Sequence, residues 1–219
     1  MSESETVLAW HFLPDDGCLR WRTREKVEVG KTYTVDGPLV MCSHGLHASV
    51  TAIDALGYAP GAIACRVQLS GKILRGDDKV VATHRTVLAM VDATKTLHEF
   101  ACWCAETALE RERKAGREPA ARSWAAIAVK RRWLVGQATD AELAVAGAAA
   151  WDAASAAWAA AWAAAGNAAW AAAGDAASAA RAAAWAAAGN AAWAAAWAAA
   201  RTSQNERLTL MLCELLEMS

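Results

Sequence analysis

The spacing of apolar and polar residues changes period once along this chain, near Ala93. Before that point, short β-branched runs alternate with turn signals, as strands do. Val7–Leu13 predicts one strand, closed by Pro14-Asp15-Asp16-Gly17. Lys31–Val35, Leu39–Cys42, Ala62–Leu69, Gly71–Leu74 and Val80–Val91 predict further strands. Ser49–Tyr58 predicts a short helix that stops at Pro60-Gly61, a pair that cannot continue it. Residues 1–93 therefore predict a small α+β domain of ordinary size.

After Ala93 the period becomes helical, and residues 94–219 predict an all-α region. Leu97, Phe100, Cys104 and Ala108 recur at three- and four-residue steps behind a Thr96/Glu99 capping box. Pro119–Val135 predicts a second helix ended by Gly136, with Lys130, Arg131 and Arg132 in the last turns where cations suit the dipole. Thr139/Glu142 and Ser203/Glu206 are two more capping boxes, and Leu208, Met211, Leu212, Leu215 and Leu216 form one apolar face.

Between the last two boxes lies a tract of alanine punctuated by tryptophan. The segment WAAAGNAAWAAA starts at Trp162 and again at Trp185, an offset of 23 residues. Alanine is the best helix former and brings no charge or nucleophile, so the tract sets architecture rather than chemistry. Either the tryptophan stripe winds around one long helix, or the helix breaks at Gly166-Asn167, Gly174-Asp175 and Gly189-Asn190; two or more helices packed face to face are the favoured expectation. The seven tryptophans of the tract would bury about 150–250 Å² each if enclosed, and an open row would need a partner chain. Homo-oligomerisation through these helices is the expectation.

Composition adds exclusions. The 219 residues carry 22 basic and 23 acidic side chains, so no global field recruits nucleic acid or an anionic membrane. The start, MSESETVLAW, lacks a signal-peptide pattern, and the six cysteines read as reduced thiols; a cytoplasmic protein is expected. Ala153–Gly174 is long and uncharged enough to invite a membrane reading, but alanine makes it only weakly apolar, and no membrane span is expected.

Reactive residue types concentrate at Cys42-Ser43-His44-Gly45-Leu46-His47. Cys42, His44 and His47, with Cys18, would be the donors of a metal site, yet C-x-H-x-x-H fits no standard zinc module, so no metal is expected. Cys102 and Cys104 stand two apart on a helix and point to different faces. Lys79, His84 and Arg85 suggest an anion-binding patch, whereas ERERKAGREPAAR reads as a solvated helix end.

Four motifs occur in a fixed order: Val29-Gly30-Lys31-Thr32-Tyr33, Cys42 through Gly45-Leu46-His47-Ala48, Ala55-Leu56-Gly57-Tyr58, and Cys65-Arg66-Val67-Gln68-Leu69-Ser70-Gly71. In this respect residues 7–92 resemble an uncharacterised domain family common in phage proteomes, with Ser49 where members often carry another cysteine. From Phe100 onward the chain resembles alanine- and tryptophan-rich tracts of phage and bacterial proteins, some labelled immunity-like. The order of elements is also similar to the core of ADP-ribosyltransferases. That resemblance implies a dinucleotide-binding role for His11 and matches Gly45–Ser49 and Cys65–Gly71 to the family's turn and strand. It departs at the late strand Thr86–Val91, which has no glutamate; Asp92 is the nearest acid.

These readings make a non-enzymatic binder of a nucleotide-like ligand the leading expectation, with no cofactor. Its candidate ligand-binding residues are His11, His44, Gly45, His47, Ser49, Arg66, Lys79 and Arg85. The phage resemblance implies a use in counter-defence, soaking up a host immune signal, with a host defence protein as a further possible partner. Two alternatives stay open: a transferase or hydrolase using His11 and His47 with Asp77, Asp78 or Asp92, and a helical protein-binding or oligomerisation scaffold.

Overall fold

Two β-branched runs pair as 13-residue antiparallel strands, β4 (Ile63–Arg75) and β5 (Val80–Asp92). A tight turn joins them, with the Gly76 amide donating to the Lys79 carbonyl at 2.8 Å. In the computed structural model, which describes residues 5–20, 24–150 and 198–217, this hairpin is the axis of the first unit. Strand β1 (Val7–Leu13) pairs with β4, and β2 (Thr32–Thr34) and β3 (Leu46–Ala48) both pair with β5. Every pairing is antiparallel, in the order β1-β4-β5-β2, with β3 beside β2 along the outer edge of β5.

The sheet curls until it touches itself. Ser49, one residue past β3, exchanges both backbone hydrogen bonds with Trp10 of β1, at 2.7 and 2.9 Å. Two register shifts in the β4–β5 hairpin, at Arg66/Val67 and Ser70/Ile73, add the extra residues that let a long hairpin bend. Gly71, inside the second shift, has φ +79°, and a Cβ there would lie 2.2 Å from the Thr83 hydroxyl.

Helix α1 (Ala52–Leu56) follows β3 and is capped by Thr51, whose hydroxyl accepts from the Asp54 amide at 3.2 Å. Helices α2 (Thr94–Lys114) and α3 (Ala121–Leu134) come next, then α4 (140–150) and α5 (198–217) within the described residues. The fold is α+β: an N-terminal antiparallel sheet domain followed by helices. No helix formed by the described residues is long and apolar enough to cross a membrane.

The chain divides into two compact units, residues 1–100 with 201–219, and residues 101–200. In the first, α5 is tied to α1: Asn205 accepts from the Ile53 amide at 3.3 Å and Arg201 pairs with Asp54. Leu208 and Leu212 are fully buried, each contributing ~1.5–3 kcal/mol through burial. In the second, Glu106 of α2 takes a bidentate pair from Arg131 of α3, at 2.7 and 2.6 Å. Gly136 ends α3 in the left-handed region, with the Gln137 amide closing back to the Arg132 carbonyl at 2.8 Å.

Several expected boundaries move. The Leu39–Cys42 run is one arm of a tight turn rather than a strand, because the Ser43 and His44 amides both bond the Val40 carbonyl and Cys42 sits at φ +63°. Ala62–Leu69 and Gly71–Leu74 are one bulged strand. Helix α2 opens at Thr94, where the Asp92 carboxylate accepts from the Thr94 amide and hydroxyl, so Thr96 falls inside the first turn. Ser203 likewise lies within α5, while Thr139 and Glu142 do form their reciprocal box. The repeat at Trp162 and Trp185, and the Ala153–Gly174 stretch, lie outside the described residues.

Candidate functional site

Residues directly opposite in an antiparallel pair share a face. The register therefore puts His11 beside Cys65, then Val67 and Leu69 along β4, with Arg85, Val87 and Tyr33 on the same face. Most of this face is apolar core, yet it contains an arginine that is 4 % exposed. A cleft of about 1030 Å³ opens on it, lined by His11, Lys31, Tyr33, His47, Tyr58, Lys79 and Arg85 among others.

Arg85 is the feature that needs explaining. No carboxylate among the described residues pairs with it. Its Nη1 donates to the His47 carbonyl at 2.9 Å, and its buried Nε has no acceptor. Burial lowers its pKa from 12.5 to about 10, so it keeps its charge at neutral pH against a desolvation cost. Cys65 stands close by, and burial pushes its thiol up to about 12, which keeps it protonated.

His11 lines the floor of the cleft beside Arg85. Its pKa is held well below the ordinary 6.5, first by burial, then by the Arg85 charge, then by His47. It is therefore neutral near pH 7, and its ring makes no hydrogen bond with the described residues.

His47 and His44 order the loop that forms one wall. The Cys42 amide donates to His47 Nε2 at 3.0 Å, so the ring proton sits on Nδ1, which donates to the Gly45 carbonyl at 3.1 Å. Burial lowers the His47 pKa, opposed by the Gly45 bond and assisted by Lys79 and Arg85. His44 Nε2 bonds the Asp36 carbonyl at 2.7 Å. Both His47 ring nitrogens are thus committed to its own loop, which leaves that ring no free lone pair for a proton or a metal. Among the described residues no group of three His, Cys, Asp or Glu side chains is placed to hold a metal. Gly45, at φ +129°, lets the loop press onto β5: a Cβ would lie 2.2 Å from Val81 Cγ2.

At the rim, Lys79 Nζ sits 3.8 Å from the centre of the Tyr58 ring and donates to Cys42 Sγ at 3.3 Å. The Tyr58 hydroxyl in turn donates to Asp78. Lys31 is paired to Glu25 at 2.5 Å, and Glu25 is the one carboxylate among the described cleft-lining residues.

The structure thus brings seven of the eight sequence candidates to one cleft: His11, His44, Gly45, His47, Ser49, Lys79 and Arg85. Arg66 is not among the lining residues. It pairs with Trp10 across β1 and β4, its guanidinium 4.8 Å from the Trp10 ring, and side-chain alternation puts it on the sheet face opposite Arg85. His84 is exposed, next in sequence to Arg85 and so on the other face, bonded to Thr83. The acids named for a catalytic role also lie off the lining: Asp92 caps α2, Asp78 holds Tyr58, and Asp77 is not part of the wall. Tyr33 and Tyr58 escaped the candidate set. Both stand in quoted motifs, but only strand pairing opposite Arg85 and the Lys79 contact give them a place in the cleft.

The site is thus a curled antiparallel sheet carrying a cleft lined in part by a buried arginine with no carboxylate partner among the described residues. Residues 19–99 match the family model of a domain of unknown function (DUF7666), a stretch that runs from before β2 into the second turn of α2 and leaves out β1 with His11. Comparison with curated proteins and with solved structures finds no match.

Proposed function

We propose that the sheet unit binds an anionic, nucleotide-like small molecule in this cleft without transforming it. The observation that carries the reading is Arg85: a charged guanidinium, 4 % exposed, with one hydrogen bond and no carboxylate partner among the described residues. A fold retains such a group when a ligand supplies the missing counter-charge, because a buried charge without a partner costs several kcal/mol, on the order of 3–5 when a pair is broken. Lys79 adds a second cation at the rim, on the ring of the half-exposed Tyr58, whose uncovered surface is offered to a base. Sequestration is favoured over turnover because the single carboxylate among the described lining residues, Glu25, is tied to Lys31. In a phage setting, the use of such a protein is to soak up a nucleotide signal of host immunity.

The test is capture and release. Purified protein is incubated with cyclic dinucleotides, ADP-ribose variants and NAD, separated from free ligand and heat-denatured, and the released compound is identified by mass spectrometry. Intact ligand at stoichiometric yield from wild type, and none from Arg85→Met, supports the proposal. A chemically altered product supports the transferase or hydrolase alternative. No capture of any compound removes the binding reading and moves weight to the helical scaffold.

A further inference from the structure

Arg85 and His11 pose one electrostatic problem together. His11 reaches the cleft from β1, with the protonated Cys65 thiol opposite it on β4, Arg85 from β5, His47 from β3 and Tyr33 from β2 on the same face. Lys79 contributes further positive charge at the wall, whereas Lys31 is offset by Glu25 and Glu28. Among the described residues, every free charge that faces His11 is therefore positive. Its ring has no protein partner among the described residues, and it lines the same cleft as Arg85, near enough for the Arg85 charge to act on it.

We propose that an anionic group seated on Arg85 is bound together with one proton taken up by His11, so that the anion is held between a guanidinium and an imidazolium. This rests on the anion-binding reading above. Without ligand, burial and the Arg85 charge keep His11 neutral. A phosphate or sulfate oxygen on Arg85 cancels that field and gives the protonated ring a charge-assisted hydrogen bond. The proton comes from solvent and returns to it when the anion leaves. His47 does not compete for this role, because its Nε2 lone pair is already used by the Cys42 amide. The site then selects fully ionised anions and holds them more tightly as the medium acidifies.

The probe is sulfate, which keeps its double charge between pH 5.5 and 8. Its affinity is measured across that range by calorimetry in buffers of different ionisation enthalpy, with wild type, His11→Gln and Arg85→Met. Uptake of one proton makes the association constant fall about tenfold per pH unit wherever free His11 is neutral and bound His11 is charged. Expected are that slope in wild type, its loss in His11→Gln, and no binding in Arg85→Met. Ring ¹⁵N shifts of His11 in the wild-type protein, with and without sulfate, give the same answer without a variant. Binding that depends on Arg85 but is flat with pH, or a slope that survives His11→Gln, overturns the proton coupling and leaves the anion site standing. No sulfate binding at any pH, with Arg85→Met indistinguishable from wild type, overturns both.

Discussion

Replacing Arg85 with methionine should make this protein more stable while removing its capacity to hold an anion. The guanidinium is buried without a carboxylate, and its pKa falls from 12.5 to about 10. At neutral pH it is charged in both states, so the folded state bears the whole penalty. At ~1.4 kcal/mol per pKa unit, that penalty is ~3 kcal/mol. Methionine follows the arginine stem as far as the Nε position and places no charge in the buried volume, which removes the penalty. The opposing loss is the bond from Nη1 to the His47 carbonyl, ~1–1.5 kcal/mol, which leaves that carbonyl short of a donor. The balance is a gain of ~1–2 kcal/mol, or ~5 °C in Tm for a unit of this size. Urea titrations followed by far-UV circular dichroism, at pH 7.5 with and without 100 mM sulfate, measure both halves. Sulfate should raise the wild-type midpoint by linkage and raise the variant's only by the smaller, general gain from its exclusion from protein surface. A variant destabilised by more than ~1 kcal/mol, or one that gains as much from sulfate as wild type, would refute the reasoning. The first outcome would make Arg85 a structural donor; the second would put the anion elsewhere.

Three further outcomes follow from the same geometry. Gly45→Ala forces a Cβ to within 2.2 Å of Val81 Cγ2 at φ +129°, and should cost ~2–4 kcal/mol, read as a lowered urea midpoint. His11 and His47 both have folded pKa values below 6.5, so below that pH the unfolded chain binds more protons than the folded one. Stability should hold above pH 6.5 and fall as the pH drops through it; urea midpoints that stay level from pH 8 to 5 contradict the burial argument. Thiol labelling of the native protein should modify the exposed Cys42 and spare the buried Cys65, whose pKa of about 12 leaves it unreactive; peptide mapping that finds Cys65 modified first would show the sheet opening locally.

Much of the fold was legible in the one-dimensional pattern. Strand β1 falls on the run read from Val7 to Leu13, and α3 ends at Gly136, where a left-handed glycine closes the helix. These are local matters, set by side-chain period, β-branching and glycine's freedom, so neighbours in sequence suffice to reveal them. The density of histidine and cysteine from Cys42 to His47 also marked the right loop, although its chemistry differs from what residue type suggests. A histidine is a base or a ligand only with a free lone pair, and whether His47 has one depends on a backbone amide five residues away.

The sequence by itself determined the element types, the change of period near Ala93 and the residues able to carry charge, because each follows from short-range sterics and composition. Only the tertiary structure decided which charges lie inside. Arg66 and Arg85 are both arginines on long strands, and nothing in their local sequence separates them. Strand register sends one to the opposite face, against Trp10, and the other into the cleft beside His11. The closure of β3 onto β1 through Ser49 and Trp10 then brings His47 to the same cleft from a distant part of the chain. Burial is a property of the whole packed sheet, and burial is what turns an ordinary arginine into a candidate anion site.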